Sequence, residues 1–215
     1  VNAPMGLRER KKQRTREAIS DTAIALFLER GFDQVSVVDI AAAAEVSKPT
    51  LFKYFPTKED LVVHRFADHQ TASSTVVAER PPGVSVIDAL HRHFLDGLAA
   101  RDPITGLNDD EGVLAFHGLV HSTPGLVARV GQYLARAEES LARTLRDALD
   151  PDGREITAAL LAGQVIATER ILASANWQRV VAGRSADEVH PEAVADADHA
   201  YALLRHGLAG VAPRR

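Results

Sequence analysis

No cysteine occurs among the 215 residues, which excludes disulfides, thiolate metal sites, thiol redox switches and cysteine nucleophiles together. No stretch approaches the ~18 consecutive apolar residues of a membrane span, and the N-terminal stretch lacks the apolar core of a signal peptide. A cytoplasmic chain with no membrane partner is the expectation. GxSxG, P-loop, GxGxxG and HExxH motifs are missing, as are paired carboxylates at helix spacing in a committed pocket, so neither catalysis nor a cofactor is expected. His117 and His121 have the spacing of a two-histidine metal site, but no carboxylate pair completes it, and no metal is expected. His91 and His93, two apart, face different sides of a helix. Internal repeats of 20 to 50 residues and low-complexity linkers are also absent.

What is present is a chain that is 46% hydrophobic, enough to bury a core. Its net charge of −4 is unevenly spread. Residues 1–16 hold Arg8, Arg10, Lys11, Lys12, Arg14 and Arg16 against Glu9 alone, a net +5, which leaves −9 for the remainder. An acidic body repels phosphate, so any contact with nucleic acid is confined to the basic end.

From Thr15, apolar Ile19, Ala23, Leu26 and Phe27 recur at helical spacing, and Gly31-Phe32 ends that helix near Arg30. Ser36, with Asp39 three residues on, caps a short second helix whose buried side is Val37, Ile40 and Ala41. Glu45-Val46 makes a turn, and Lys48 to Phe55 forms a third helix stopped by Pro56. Ser47 is a cap candidate, but proline restricts the residue before it, so Lys48 as cap with Pro49 as first helical residue is equally open. Two short helices joined by a tight turn are the layout of a helix-turn-helix. Leu51 and Phe55 form its core side, whereas Lys48, Thr50, Lys53 and Tyr54 lie off that stripe. Thr57, with Asp60 three residues later, caps a fourth helix whose free N–H groups, beside Lys58, suit a phosphate.

The continuous run from Arg14 to Leu61 resembles the DNA-binding domain of the TetR family of bacterial regulators. The likeness rests on helix one ending in Gly-Phe, the block Val35 to Ser47, the run Thr50-Leu-Phe-Lys-Tyr-Phe55, and Thr57-Lys-Glu-Asp-Leu61. It implies that Lys48, Thr50, Lys53, Tyr54, Thr57, Lys58 and Arg14 contact operator DNA. In that division of labour, Lys58, Thr57, Tyr54 and the basic arm hold phosphates, while Thr50, Lys48 and Lys53 reach base edges. Two residues depart from the pattern. Glu45 stands where glycine is common, at a cost of about 1 kcal/mol if positive φ is required. Phe52 stands where tyrosine is frequent, which removes a phenol bond to phosphate and leaves it a packing role.

Downstream, the fourth helix is expected to run to about Ala78, before Pro81-Pro82-Gly83. A fifth starts at Ser85 with Asp88, burying Val86, Leu90, Phe94 and Leu98. A loop at Asp102–Asp110, a short helix around Val113–Leu119, and a long helix from Pro124 to about Leu149 follow. After a turn at Asp150–Gly153, helices are expected at about 155–182 and from Pro191 to Leu208. The total is an all-α chain of about nine helices. Residues 8–60 form a three-helix DNA-binding domain and 61–215 a larger helical domain for ligand binding and dimerisation.

Ile156, Leu160, Val165, Ile166, Ile171 and Leu172 cover more than one side of their helix, as do Ala200, Leu203, Leu204, Leu208 and Val211 on the next. Such width suits either a wide internal core or a second copy of the chain. The resemblance implies the second: a homodimer through the last two helices, matched to an inverted-repeat operator. It also implies a small-molecule effector among helices four to eight. Phe66, Phe94, Phe116, His117, Tyr133 and Trp177 are candidates to line its site, with plain core packing as the alternative for the aromatics. Few charges fall on the apolar faces, which favours a largely apolar effector. The expected role is a repressor released from DNA by that effector. A regulator without a ligand switch, or an activator, fits the same residues.

Overall fold

A computed structural model describes residues 6–148 and 155–207. Among the described residues there are ten α-helices and two 3-10 segments, with no strand. They group into two compact units, Val1–Ala67 with Ala115–Gly131, and Asp68–Leu114 with Gln132–Arg215.

Local signals account for most of the boundaries. α1 (Leu7–Arg30) ends where Gly31 takes φ 86° and its N–H bonds to the Phe27 carbonyl. Phe32 then folds its ring to 4.8 Å from that of Phe27, a hydrophobic contact that fixes the exit of the chain. α1 starts eight residues earlier than the apolar pattern suggested, because Arg8 to Gln13 is a run of strong helix formers that needs no buried face to continue the helix. α2 (Val37–Ala43) carries a complete capping box, with Asp39 N–H donating to Ser36 Oγ and Ser36 N–H donating to the Asp39 carboxylate. α3 (Lys48–Tyr54) is capped by Ser47, which accepts from Thr50 N–H, and Pro49 sits in its first turn. Ser47, not Lys48, is thus the cap. Between α2 and α3, Glu45 adopts φ 53°, so the left-handed turn is made here by a residue with a side chain, with its associated strain.

The expected long fourth helix is instead three pieces: α4 (Asp60–Val63), a 3-10 segment His64–His69, and α5 (Ala72–Glu79). This raises the helix count from about nine to ten. Leu61, Val62, Val63 and His64 are buried in succession, which an amphipathic surface helix does not allow, and the following His, Phe, Asp and Thr are weak helix formers. The backbone tightens to i→i+3 bonding there.

α6 (Val86–Ala99), capped by Ser85, buries Leu90, Phe94 and Leu98. The next loop holds a 3-10 turn, Pro103–Thr105, and Gly106 at φ 71°. A Cβ on Gly106 would lie 2.0 Å from the Ala173 carbonyl oxygen, so this loop needs glycine for close approach as well as conformation. α7 (Glu111–Ser122), α8 (Pro124–Ala148), α9 (Glu155–Val181) and α10 (Ala186–His206) complete the described chain. α10 begins five residues before Pro191, at a Ser185–Glu188 capping box, and carries that proline inside the helix. The turn expected at Asp150–Gly153, together with Leu149, Leu208 and Val211, lies outside the described residues.

In the first unit Ile19, Ala23, Phe27, Ile40, Leu51, Phe55 and Leu61 form the core, and the buried Ser20 hydroxyl donates to the Leu61 carbonyl at 2.6 Å. In the second, Leu90, Leu98, Leu141, Val165, Val189 and Tyr201 form the core. α9 is long and apolar enough, by length and composition, to cross a membrane, yet Val165, Ile166 and Leu172 are buried in this core.

Candidate nucleic-acid interface

α3 is fixed by one side and exposed on another. Leu51 and Phe55 are fully buried, and the Arg16 guanidinium lies 5.3 Å above the Phe55 ring, so α3 is pinned to α1 through this side. Lys48, Pro49, Phe52 and Lys53 are exposed along one arc of the helix, while Thr50 and Tyr54, one turn apart, are half-buried beside it. The Thr50 hydroxyl is 2.8 Å from that of Ser47. Phe52, expected only to pack, is 39% exposed, with the Lys48 ammonium 5.9 Å from its ring centre. Phe52 thus lies outside the core that buries Leu51 and Phe55.

The start of α4 is organised by one carboxylate. Asp60, buried, accepts from Thr57 N–H at 3.1 Å and from the Thr57 hydroxyl at 2.9 Å on one oxygen. Its other oxygen accepts from Arg129 Nε at 2.8 Å and lies 2.6 Å from Arg129 Nη2. Thr57 is therefore held from α8. Lys58 turns its ammonium to the Phe32 carbonyl and stacks 4.3 Å above the Phe32 ring and 5.3 Å above that of Phe27. Its charge is spent in part on closing the α1 exit. Arg14 is exposed on α1, and the basic residues ahead of it from Arg8 onward lie on the same continuous helix rather than in a tail. The structure thus brings Lys48 and Lys53 onto one open face, sets Thr50 and Tyr54 beside them, and draws Lys58 inward.

The six candidate effector residues fall into two groups. Phe66 and Phe116 lie 5.7 Å apart, Phe116 is 6.0 Å from His117, and His117 is 6.4 Å from His121, all in the first unit. Burial, with the neighbouring His121 second, pushes His117 down to about 4, so at neutral pH its imidazole is uncharged and can both donate and accept. Phe94, Tyr133 and Trp177 belong to the second unit. Phe94 sits in the core 6.3 Å from Tyr201, and Tyr133 is buried beneath Arg136.

One polar group escaped sequence reasoning. Glu169 on α9 accepts from the Tyr201 hydroxyl at 3.2 Å and from the Ser73 hydroxyl at 3.3 Å. Burial pushes its carboxyl up to about 7, against the opposing effect of those two bonds. Helical spacing contained the signal: Glu169 follows Val165 by four and Ile166 by three and precedes Leu172 by three, which puts it on the buried stripe.

Helices throughout the described residues, with a cationic helix-turn-helix face set on a buried core, define a DNA-binding transcriptional regulator. Residues 19–64 match the model of the family described as bacterial regulatory proteins, tetR family. Over 209 residues the chain is 35% identical to the HTH-type transcriptional regulator TcmR of Streptomyces glaucescens, covering 91% of each protein. The chain belongs to the TetR family. Among solved structures it is similar in fold to NalD, the secondary repressor of the MexAB-OprM multidrug efflux pump in Pseudomonas aeruginosa, with TM-score 0.56 and 18% identity over 87% of this chain and 97% of that one. It is also similar to FadR of Bacillus subtilis in complex with stearoyl-CoA, with TM-score 0.51 and 17% identity over 87% and 96%.

Proposed function

We propose that the protein is a cytoplasmic, homodimeric repressor that grips an inverted-repeat operator and is released by a small, largely apolar effector. The observation that carries the DNA-reading part is the exposed α3 face, with Lys48 and Lys53 at its edges and Leu51 and Phe55 locking its other side. Lys48, Thr50 and Lys53 work at the groove. Arg14, Tyr54, Thr57 and the helical basic segment hold phosphates, and Lys58 assists where its ties to Phe32 permit. Phosphate contacts supply affinity and register without reading sequence.

Dimerisation is supported by α9. Ile156, Leu160 and Ile171 are 59%, 56% and 58% exposed on it, an apolar allotment out of keeping with a free helix surface. A second copy of this face would cover it, and two-fold pairing would set two α3 helices on one side of a duplex, with half-sites about 35 Å apart or a small multiple of that. NalD is a repressor, and FadR of Bacillus subtilis holds stearoyl-CoA. On this chain the Phe66, Phe116 and His117 cluster is the first candidate for effector contact, with Phe94, Tyr133 and Trp177 as further candidates. His117, neutral, gives an otherwise apolar cluster one hydrogen-bonding group.

Sedimentation and footprinting test this reading. The wild type is expected to sediment as a dimer and to protect a dyad-symmetric site, and Leu160→Asp with Ile171→Asp to give a helical monomer with no protection. A dyad-free footprint, or a dimer that survives both charges, would refute the assembly. Compounds found by thermal shift are then titrated against the protein bound to its operator. If every stabilising compound leaves operator affinity unchanged, a constitutive DNA-binding regulator replaces the ligand-released one.

A further inference from the structure

The exposed face of α3 is ordered across its width. At about 100° per residue, Lys48 and Lys53 stand about 140° apart at the two edges, and Pro49 and Phe52 stand about 60° apart between them. All four are exposed. The middle of the face is thus apolar and its margins are cationic. A recognition helix in a major groove directs its middle to the base edges on the floor and its margins to the phosphate walls. Lysine margins complement those walls. Proline has no N–H, and neither its ring nor a phenyl ring bears a donor or acceptor, so the middle of this face cannot read the hydrogen-bonding pattern of any base pair. The one apolar group that the major groove displays is the C5-methyl of thymine.

We infer that Phe52, backed by Pro49, is a specificity-determining residue that reads thymine by packing on its C5-methyl group. This rests on the DNA-reading role proposed above, moves Lys48 and Lys53 from the base edges to the phosphate walls, and adds the base and the chemical group recognised. Three features of Phe52 support it beyond its place on the helix. Its ring is exposed and stands outside the core that buries Leu51 and Phe55. It lacks the phenol that would otherwise direct an aromatic at this position toward phosphate oxygen. The Lys48 ammonium, 5.9 Å from its ring centre, places a cation beside an apolar surface, so that entry into a groove covers the ring while the charge stays with the phosphates.

The test uses the full chain and duplexes selected by it from a randomised pool. A thymine is expected at one fixed position in each half-site. Replacing it by deoxyuridine removes the methyl and nothing else. Wild-type affinity is expected to fall about fourfold per half-site, the worth of one buried methylene-sized group, and about fifteenfold when both half-sites are changed. Phe52→Ala is expected to bind thymine and deoxyuridine duplexes alike, while Phe52→Leu, still apolar, retains part of the difference. Because Phe52 is exposed, both variants are expected to melt with the wild type, and the melt is measured alongside. If wild-type affinity is indifferent to deoxyuridine at every selected thymine, or if Phe52→Ala loses affinity equally for both duplexes while keeping the methyl preference, the inference is overturned. If the selection yields no preferred sequence at all, the DNA-reading proposal fails first, and this inference with it.

Discussion

Glu169→Gln isolates the energetic consequence of a half-buried carboxyl held against the helical core by the Tyr201 and Ser73 hydroxyls. In the folded chain burial raises its pKa from the ordinary 4.5 to about 7. The folded state therefore keeps a proton that the unfolded state gives up between these two values. Where the unfolded state binds fewer protons, stability falls as pH rises. The contribution is fully present below pH 4.5, declines from 4.5 to 7, and is gone above 7. A difference of about 2.5 pH units corresponds to about 3 kcal/mol. Glutamine keeps the shape, can accept from the Tyr201 hydroxyl and cannot ionise, so it removes this decline. His117 acts in the opposite direction, because its folded value of about 4 against 6.5 makes stability rise with pH up to 6.5. That background is identical in both proteins and cancels in their difference. The assay is urea denaturation at matched protein concentration from pH 4 to 8. Glu169→Gln is expected to gain on the wild type by about 3 kcal/mol between pH 4.5 and 7, with a plateau above. Two stability curves that stay parallel across this window would show that Glu169 ionises freely, and would refute the reasoning.

Arg129→Ala strands the buried Asp60 carboxylate, and a loss of about 3 kcal/mol is expected in urea melts, partly restored when Asp60→Asn is added; a loss under about 1 kcal/mol would count the pair as a surface contact. Gly106→Ala must resolve a 2.0 Å clash with the Ala173 carbonyl at positive φ, so a loss of at least about 2 kcal/mol is expected, and an unchanged melt would place the loop elsewhere. Deleting the chain through Lys12 removes four cations of α1 and is expected to lower affinity for every duplex alike. The slope of log affinity against log salt then flattens by about 0.9 for each phosphate no longer neutralised, and an unchanged slope would mean the segment stays off the DNA.

How much of this was legible in the sequence depends on the range of each interaction. Ser36, Ser85 and Gly31 marked helix ends correctly because a cap is written within three or four residues, whereas Pro49 left the sequence open between Ser47 and Lys48 as the cap of α3. Ser185 with Glu188 carried the same signal, and Pro191 drew attention from it; a proline in a helix need not begin one when a complete box lies upstream. The break after Val63 left no such mark, having neither glycine nor proline, and arises where four consecutive residues are all drawn into the core. The helix-turn-helix was readable as a unit, since Leu51 and Phe55 pack on an adjacent segment. The long-range polar pairs were not. Asp60 and Arg129 are 69 residues apart and Glu169 and Tyr201 are 32 apart, and no local pattern pairs them. Asp60 read only as the capping partner of Thr57, although a carboxylate at a helix N-terminus that is also buried calls for a cation. Thr57 thus draws its orientation from Arg129 across the chain, and loss of that guanidinium would reach Thr57 through one ion pair and the two hydrogen bonds that Asp60 accepts from it.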